Sequence, residues 1–200
     1  MSFLFRAKPL IFVHIPKTGG VSIRSWAIDR GLARRKTESG DKHVSANKLI
    51  KKWKDIDPNL QTFAVVRNPY DRVVSCWKYY IDKDKTRFSF EEFVFAEKLE
   101  PVKRKTDPLY EIQKYKIGLI DSVVHDPMVN YVNEETIILR HENLSEDFKV
   151  IQQMVDQHDP LPVLNTSSKD KDYKQYYNDA TREHVRELHK EDFERFNYDF

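Results

Sequence analysis

The sequence predicts an α/β fold in three layers, with a central parallel sheet flanked by helices, and three observations carry that prediction. Two apolar runs without polar alternation, residues 10–15 and 62–66, read as strands buried on both faces. Each run is followed by a short turn and then by sequence with helical spacing, so strand–turn–helix is written twice. Thr136-Ile137-Ile138-Leu139-Arg140 supplies a third strand, and strands alternating with helices favour parallel crossover connections.

Each element has a local reason. Pro16 stops the first strand and Gly19-Gly20 allow a tight turn. A helix follows from Val21, with Ile23, Trp26 and Ala27 on one side. Residues 31–42 are polar and read as a loop. Ser45 then caps a short helix through Trp53, in which Leu49, Ile50 and Trp53 share helical spacing. Asp57-Pro58-Asn59 signals a turn before the second strand. Pro69 suits the first turn of the next helix, where its missing N–H is no loss. That helix runs to about Lys83 and buries Val73, Val74, Trp77 and either Tyr80 or Ile81. Ser89 with Glu92 matches a capping box for a helix through Glu97. Residues 101–133 carry turn signals without clear periodicity. After the third strand, Ser145 caps a helix with Phe148, Ile151 and Val155 on one face, ended by Asp159-Pro160-Leu161-Pro162. A polar loop over residues 165–172 precedes a final helix starting near Asp179-Ala180.

A chain of 200 residues fits one domain spanning residues 1–200 and can bury a sizeable core. The net charge of +2 does not point to a nucleic-acid partner, although Arg34-Arg35-Lys36 and Lys103-Arg104-Lys105 form local basic clusters. Those clusters read as solvated loops or as contacts to an anionic substrate. The single cysteine, Cys76, excludes an intrachain disulfide and reads as a packed thiol. Neither a signal-peptide pattern nor a membrane-spanning run is apparent, so the expectation is a cytoplasmic protein with no membrane partner. Oligomeric state is not legible.

The two turns carry the chemistry. HIPKTGGVS, residues 14–22, brings a lysine, two glycines and two hydroxyls to a helix start, where backbone N–H groups and the helix dipole favour an anion. Lys17 adds a mobile charge, and Thr18 and Ser22 add hydroxyl donors. VVRNPYDRVVS, residues 65–75, places Arg67 at a strand end, where a planar guanidinium grips phosphate bidentately, and Ser75 on the following helix. Arg72 reads as a structural or surface ion pair and Asp71 as a first-turn helix residue. A ligand carrying two separate phosphates suits both turns. The first turn is P-loop-like, but the GxxxxGK[ST] spacing is absent, and no acidic strand end is placed to hold magnesium.

HIPKTGGVS resembles the 5′-phosphosulfate-binding loop of sulfotransferases, and VVRNPYDRVVS resembles their 3′-phosphate-binding strand and helix. The likeness is closest to the Golgi-type carbohydrate sulfotransferases. It extends to residues 139–144, 161–167 and 193–200, spanning nearly the whole chain. The resemblance implies the donor 3′-phosphoadenosine-5′-phosphosulfate (PAPS), the product 3′-phosphoadenosine-5′-phosphate (PAP) and no metal. It implies that Lys17, Thr18, Gly19, Gly20, Val21 and Ser22 surround the 5′-phosphosulfate, that Arg67 and Ser75 hold the 3′-phosphate, and that a loop with Ser167 and Lys169 closes over the nucleotide. The acceptor is then a hydroxyl-bearing small molecule or glycan. Unlike the Golgi members, this chain shows no membrane anchor and no paired cysteines.

Sulfuryl transfer requires a base for the acceptor hydroxyl, and histidine titrates near working pH. His43, in Asp41-Lys42-His43-Val44-Ser45, is similar to the base of related polysaccharide sulfotransferases and precedes a predicted helix at the sheet's ligand edge. His14 competes for the role or else supports the turn. His141 and Glu142 follow the third strand and face the cleft or fasten a neighbouring element. His125, His158, His184 and His189 read as surface or helix residues, and no histidine spacing suggests a zinc site. With His43 as base and Lys17 neutralising the departing phosphate, in-line transfer is the expected chemistry. Two other readings stay open: a small-molecule kinase on a degenerate phosphate loop, and a non-catalytic nucleotide-binding protein that keeps both grips.

Overall fold

The computed structural model describes residues 2–6, 8–33, 43–81, 89–95, 126–162, 164 and 172–200, with only the backbone of Tyr80 and Ile81. These form two compact units, one from Met1–Arg67 and Met128–Thr166, the other from Asn68–Pro127 and Ser167–Phe200. The basic clusters at 34–36 and 103–105, His125, and the predicted helix ends at Lys83 and Glu97 lie outside the described residues.

The first unit is built on a sheet ordered β1 (Phe3–Leu4), β2 (Leu10–Val13), β3 (Gln61–Val66), β4 (Ile137–Arg140). The three predicted strands are present and mutually parallel, with Phe12 opposite Phe63 and Phe63 opposite Ile137. β1 is an addition: it pairs antiparallel to β2 and sets Phe3 opposite Phe12, their rings 5.4 Å apart. The run expected to extend through Ile15 leaves the sheet after Val13. There the His14 N–H turns to Ser2 Oγ at 3.0 Å, and Pro16 has no N–H to offer a neighbouring strand.

Period-2 alternation decides what each sheet face receives. Phe12, Phe63, Val65 and Leu139 face a core completed by Ile23, Trp26 and Ala27 of α1 (Gly20–Asp29) and by Phe148 and Ile151. Trp26 meets Phe148 edge-on at 5.0 Å and 89°, a geometry contributing ~0.5–1.5 kcal/mol beyond area burial. Its indole N–H donates to the Asp159 carbonyl at 2.9 Å, so the buried ring has no lost hydrogen bond. The alternate positions Ile11, Val13, Ala64 and Val66 are equally inaccessible, as strands covered on both faces require. α2 (Ala46–Trp53) packs against β2 and buries Ala46 and Leu49.

Two predicted caps differ. Ser45 is the residue before α2 but makes no side-chain cap bond. Ser145 does not start a helix, because the chain turns immediately after β4 through the 3₁₀ turn His141–Asn143 into α5 (Leu144–Asp147). The Asp147 carboxylate reaches back instead, accepting from the Arg140 N–H at 2.7 Å and from Asn143 Nδ2 at 2.8 Å. α6 (Lys149–Met154) buries Ile151 as expected, and Phe148 and Val155, just outside its ends, are buried with it. It stops well before Asp159, with Asp156 in the left-handed region at φ 53°.

The second unit comprises α3 (Pro69–Ile81), α4 (Phe90–Val94), α7 (Asp179–Leu188) and α8 (Lys190–Phe196). Pro69 opens α3 and Asp71 sits in its first turn. Both halves of the Ser89–Glu92 capping box form, at 3.2 and 2.8 Å. Val73, Val74 and Cys76 pack with Tyr70, Phe90, Phe93 and Val185. Arg72 is fully buried and donates to the Asp126 carbonyl at 3.1 Å, which makes it structural. His189 corrects an expectation: it is fully buried between α7 and α8, its Nδ1 3.2 Å from Asp192. Among the described residues no helix is long and apolar enough to cross a membrane.

Candidate active site

The connection from β2 to α1 is a tight loop whose backbone alternates unusual conformations. Lys17 has φ 66°, a left-handed conformation rare for a residue with a Cβ, and Gly19 has φ 91°. The Thr18 hydroxyl donates to the Ile15 carbonyl at 2.9 Å, and Thr18 is fully buried. The hydroxyl expected to meet an anion thus shapes the loop instead. The Ser22 N–H closes the turn on the Gly19 carbonyl at 3.1 Å. No side chain caps α1, and its first turn holds no acidic residue. The positive end of a helix of this length is thereby directed into the loop that carries Lys17.

Two histidines lie against the glycine pair, and a third lies beside one of them. A Cβ on Gly20 would overlap His14 Cδ2 and lie 2.6 Å from its Nε2, so the imidazole occupies the space a side chain would need. A Cβ on Gly19 would stand 3.3 Å from His141 Cδ2 and 3.2 Å from Leu144. His43 lies beside His14, ring centroids 5.4 Å apart, and itself has φ 56°. Burial foremost, with nearby positive groups including His43 and Arg24, holds the His14 imidazole well below the ordinary histidine range. His14 Nδ1 is buried without a hydrogen-bond partner among the described residues. A neutral, half-buried imidazole under Gly20 fits the expectation that His14 supports the turn, and leaves His43, beside it, as the base candidate.

Arg67 follows β3, whose neighbour in register is β4. Its Nη1 donates to the Lys17 carbonyl at 3.1 Å, so the strand end and the glycine loop meet directly. Ser22 accepts from the Leu164 N–H at 3.3 Å, a contact that uses a lone pair and not the hydroxyl hydrogen. Val21 is 53% exposed at the helix start. Ser75 is buried on α3 in the second unit, and Ser167 and Lys169 lie outside the described residues. Glu142 is exposed on the 3₁₀ turn after β4.

The structure therefore brings Lys17, Gly19, Gly20, His14, His43, His141 and Arg67 together. Sequence reasoning had not placed His141 against Gly19 or Arg67 on the Lys17 carbonyl. The signal for the first was the position of His141 just after a strand adjacent to β3. The second depends on a backbone conformation at Lys17 that residue type does not reveal.

No curated protein matches the chain. A solved sulfotransferase from Alicyclobacillus acidocaldarius is similar at 16% identity, over 96% of this chain and 87% of that one, with a TM-score of 0.37. The model of the sulfotransferase family matches residues 2–199. Because that match runs through the glycine turn, the arginine strand and nearly all the rest of the sequence, the chain belongs to the sulfotransferase family.

Proposed function

We propose that this protein moves a sulfuryl group from PAPS to a hydroxyl on a carbohydrate acceptor, releasing PAP, with residues 1–200 acting as one catalytic domain. The observation that carries the reading is the meeting of Lys17 and Arg67 at the uncapped start of α1. A lysine in the loop at a helix N-terminus suits a phosphosulfate group, and an arginine held beside that loop suits a second phosphate on the same ligand.

In this reading Lys17, the loop amides of residues 18–22 and the Ser22 hydroxyl bind the 5′-phosphosulfate. Arg67 with Ser75 binds the 3′-phosphate, and Ser167 and Lys169 close over the nucleotide. His43 accepts the proton of the acceptor hydroxyl as its oxygen forms a bond to sulfur. The bond between sulfur and the phosphate oxygen breaks on the opposite side, and Lys17 neutralises the charge that develops there. The transferring sulfuryl group carries less charge than a phosphoryl group, so lysine and backbone donors suffice in this scheme and no metal is assigned a role.

A labelled-sulfate transfer assay from PAPS across saccharides, phenols and small alcohols tests the proposal. Labelled saccharide supports the carbohydrate assignment. Labelled phenol or simple alcohol alone replaces it, and ATP-dependent phosphate transfer in its place overturns the reaction class.

A further inference from the structure

Lys17 presents a problem that its own sequence neighbours do not solve. A lysine with φ 66° is conformationally costly, and such a backbone persists only where the surroundings over-determine it. Two hydrogen bonds bracket the strained peptide. The Thr18 hydroxyl fixes the Ile15 carbonyl on one side, and Arg67 Nη1 fixes the Lys17 carbonyl on the other. The first bond is local to the loop. The second comes from the end of a different strand and ties Lys17 to the sheet.

We propose that Arg67 is a positioning residue for Lys17 as well as an anion ligand, so that occupancy of its guanidinium by the donor's 3′-phosphate helps set the backbone that aims the lysine. The inference rests on the donor assignment given under the proposed function. A guanidinium carries several N–H donors in one plane, and the bond to the Lys17 carbonyl uses one of them. An anion gripped by the same plane fixes its orientation, and the plane fixes the carbonyl. The 3′-phosphate, remote from the reacting sulfur, then contributes to turnover and not only to affinity, as remote binding groups do when their interactions orient the reacting centre.

Lysine at position 67 separates the two roles. An ammonium still attracts a phosphate, but as a point charge it lacks the fork that serves a carbonyl and a phosphate together. Arg67→Lys is therefore expected to keep the donor KM within about 5-fold of the native value while kcat falls about 10- to 100-fold. Arg67→Ala should impair both. With Lys17 already removed there is nothing left to aim, so Lys17→Ala/Arg67→Ala should show the kcat of Lys17→Ala alone. Adenosine-5′-phosphosulfate, which lacks the 3′-phosphate, should be turned over more slowly than PAPS by the native protein even at saturation.

The experiment measures kcat and KM for PAPS and for adenosine-5′-phosphosulfate with these variants, together with calorimetry of PAP binding. Loss of kcat in Arg67→Lys at preserved KM, with non-additivity in the double variant, supports the inference. Native kcat in both Arg67 variants at saturating PAPS, with only KM raised, overturns it while leaving the donor assignment intact. Absence of PAP binding by the native protein overturns the donor assignment itself.

Discussion

The imidazole of His14 fills the volume that any side chain at Gly20 would enter. Gly20 is the first residue of α1 and is not in the left-handed region, so it is excluded from having a Cβ by contact and not by backbone conformation. Gly20→Ala should therefore destabilise the protein by about 1–3 kcal/mol through overpacking. His14→Ala opens the space, and the double variant should be less destabilised than the sum of the single changes. Urea denaturation of the three variants measures this. Strict additivity would show that the ring does not rest on the glycine.

The same burial makes His14 a contributor to the pH dependence of stability. Its folded-state affinity for protons is depressed, so the unfolded chain binds the proton more readily. The contribution is fully present above the unfolded value of ~6.5 and is lost as pH falls below it toward the lower folded value. Denaturation midpoints between about pH 7.5 and about pH 5 should fall less steeply in His14→Gln than in the native protein. Equal slopes would show that His14 does not contribute to the pH dependence.

In the proposed scheme Lys17 combines backbone strain with a role in turnover. Replacing a strained left-handed residue by glycine should stabilise the fold by about 1 kcal/mol, because glycine adopts positive φ without steric cost. Lys17→Gly should melt no lower than the native protein and yet lose ~10²–10³ in turnover, the scale of removing one well-placed donor to a developing charge. Thermal melts and single-turnover rates on the same preparation give both halves. A melting point several degrees lower would mean that the left-handed lysine is not a source of strain.

In the proposed scheme His43 takes the proton of the acceptor hydroxyl. His43→Ala should leave PAP affinity near native while turnover at saturating donor falls ~10²-fold or more, the lower range for general-base removal. Near-native turnover would return the role to another group, with His141, close against Gly19, the next to test.

Much of the scaffold was legible because the cues were local. Unbroken apolar runs marked β2 and β3, Pro69 marked the start of α3, and Ser89 with Glu92 marked the start of α4. β1 escaped because a two-residue edge strand has no period to read; its partner Phe12 is what defines it. Ser145 misled because a serine before an apolar face matches a cap pattern, while Asp147 satisfied the nearby Arg140 N–H from inside the turn. In the site, the chemical residue types at Lys17, the glycines, His43 and Arg67 stood out in sequence. Their physical arrangement did not. The positive φ of Lys17 and the His14 ring beneath Gly20 are features of how the loop itself folds back, and the guanidinium on the Lys17 carbonyl comes from a strand end far away in the chain.

Transfer of labelled sulfate from PAPS to a hydroxyl acceptor, measured side by side for the native protein and for Lys17→Gly, decides whether this chain moves sulfuryl groups by way of Lys17. Labelled product and released PAP are expected from the native protein, with product from the folded glycine variant reduced ~10²–10³-fold. Equal product from both proteins, or no association of the native protein with PAPS or PAP, would contradict the proposed reaction.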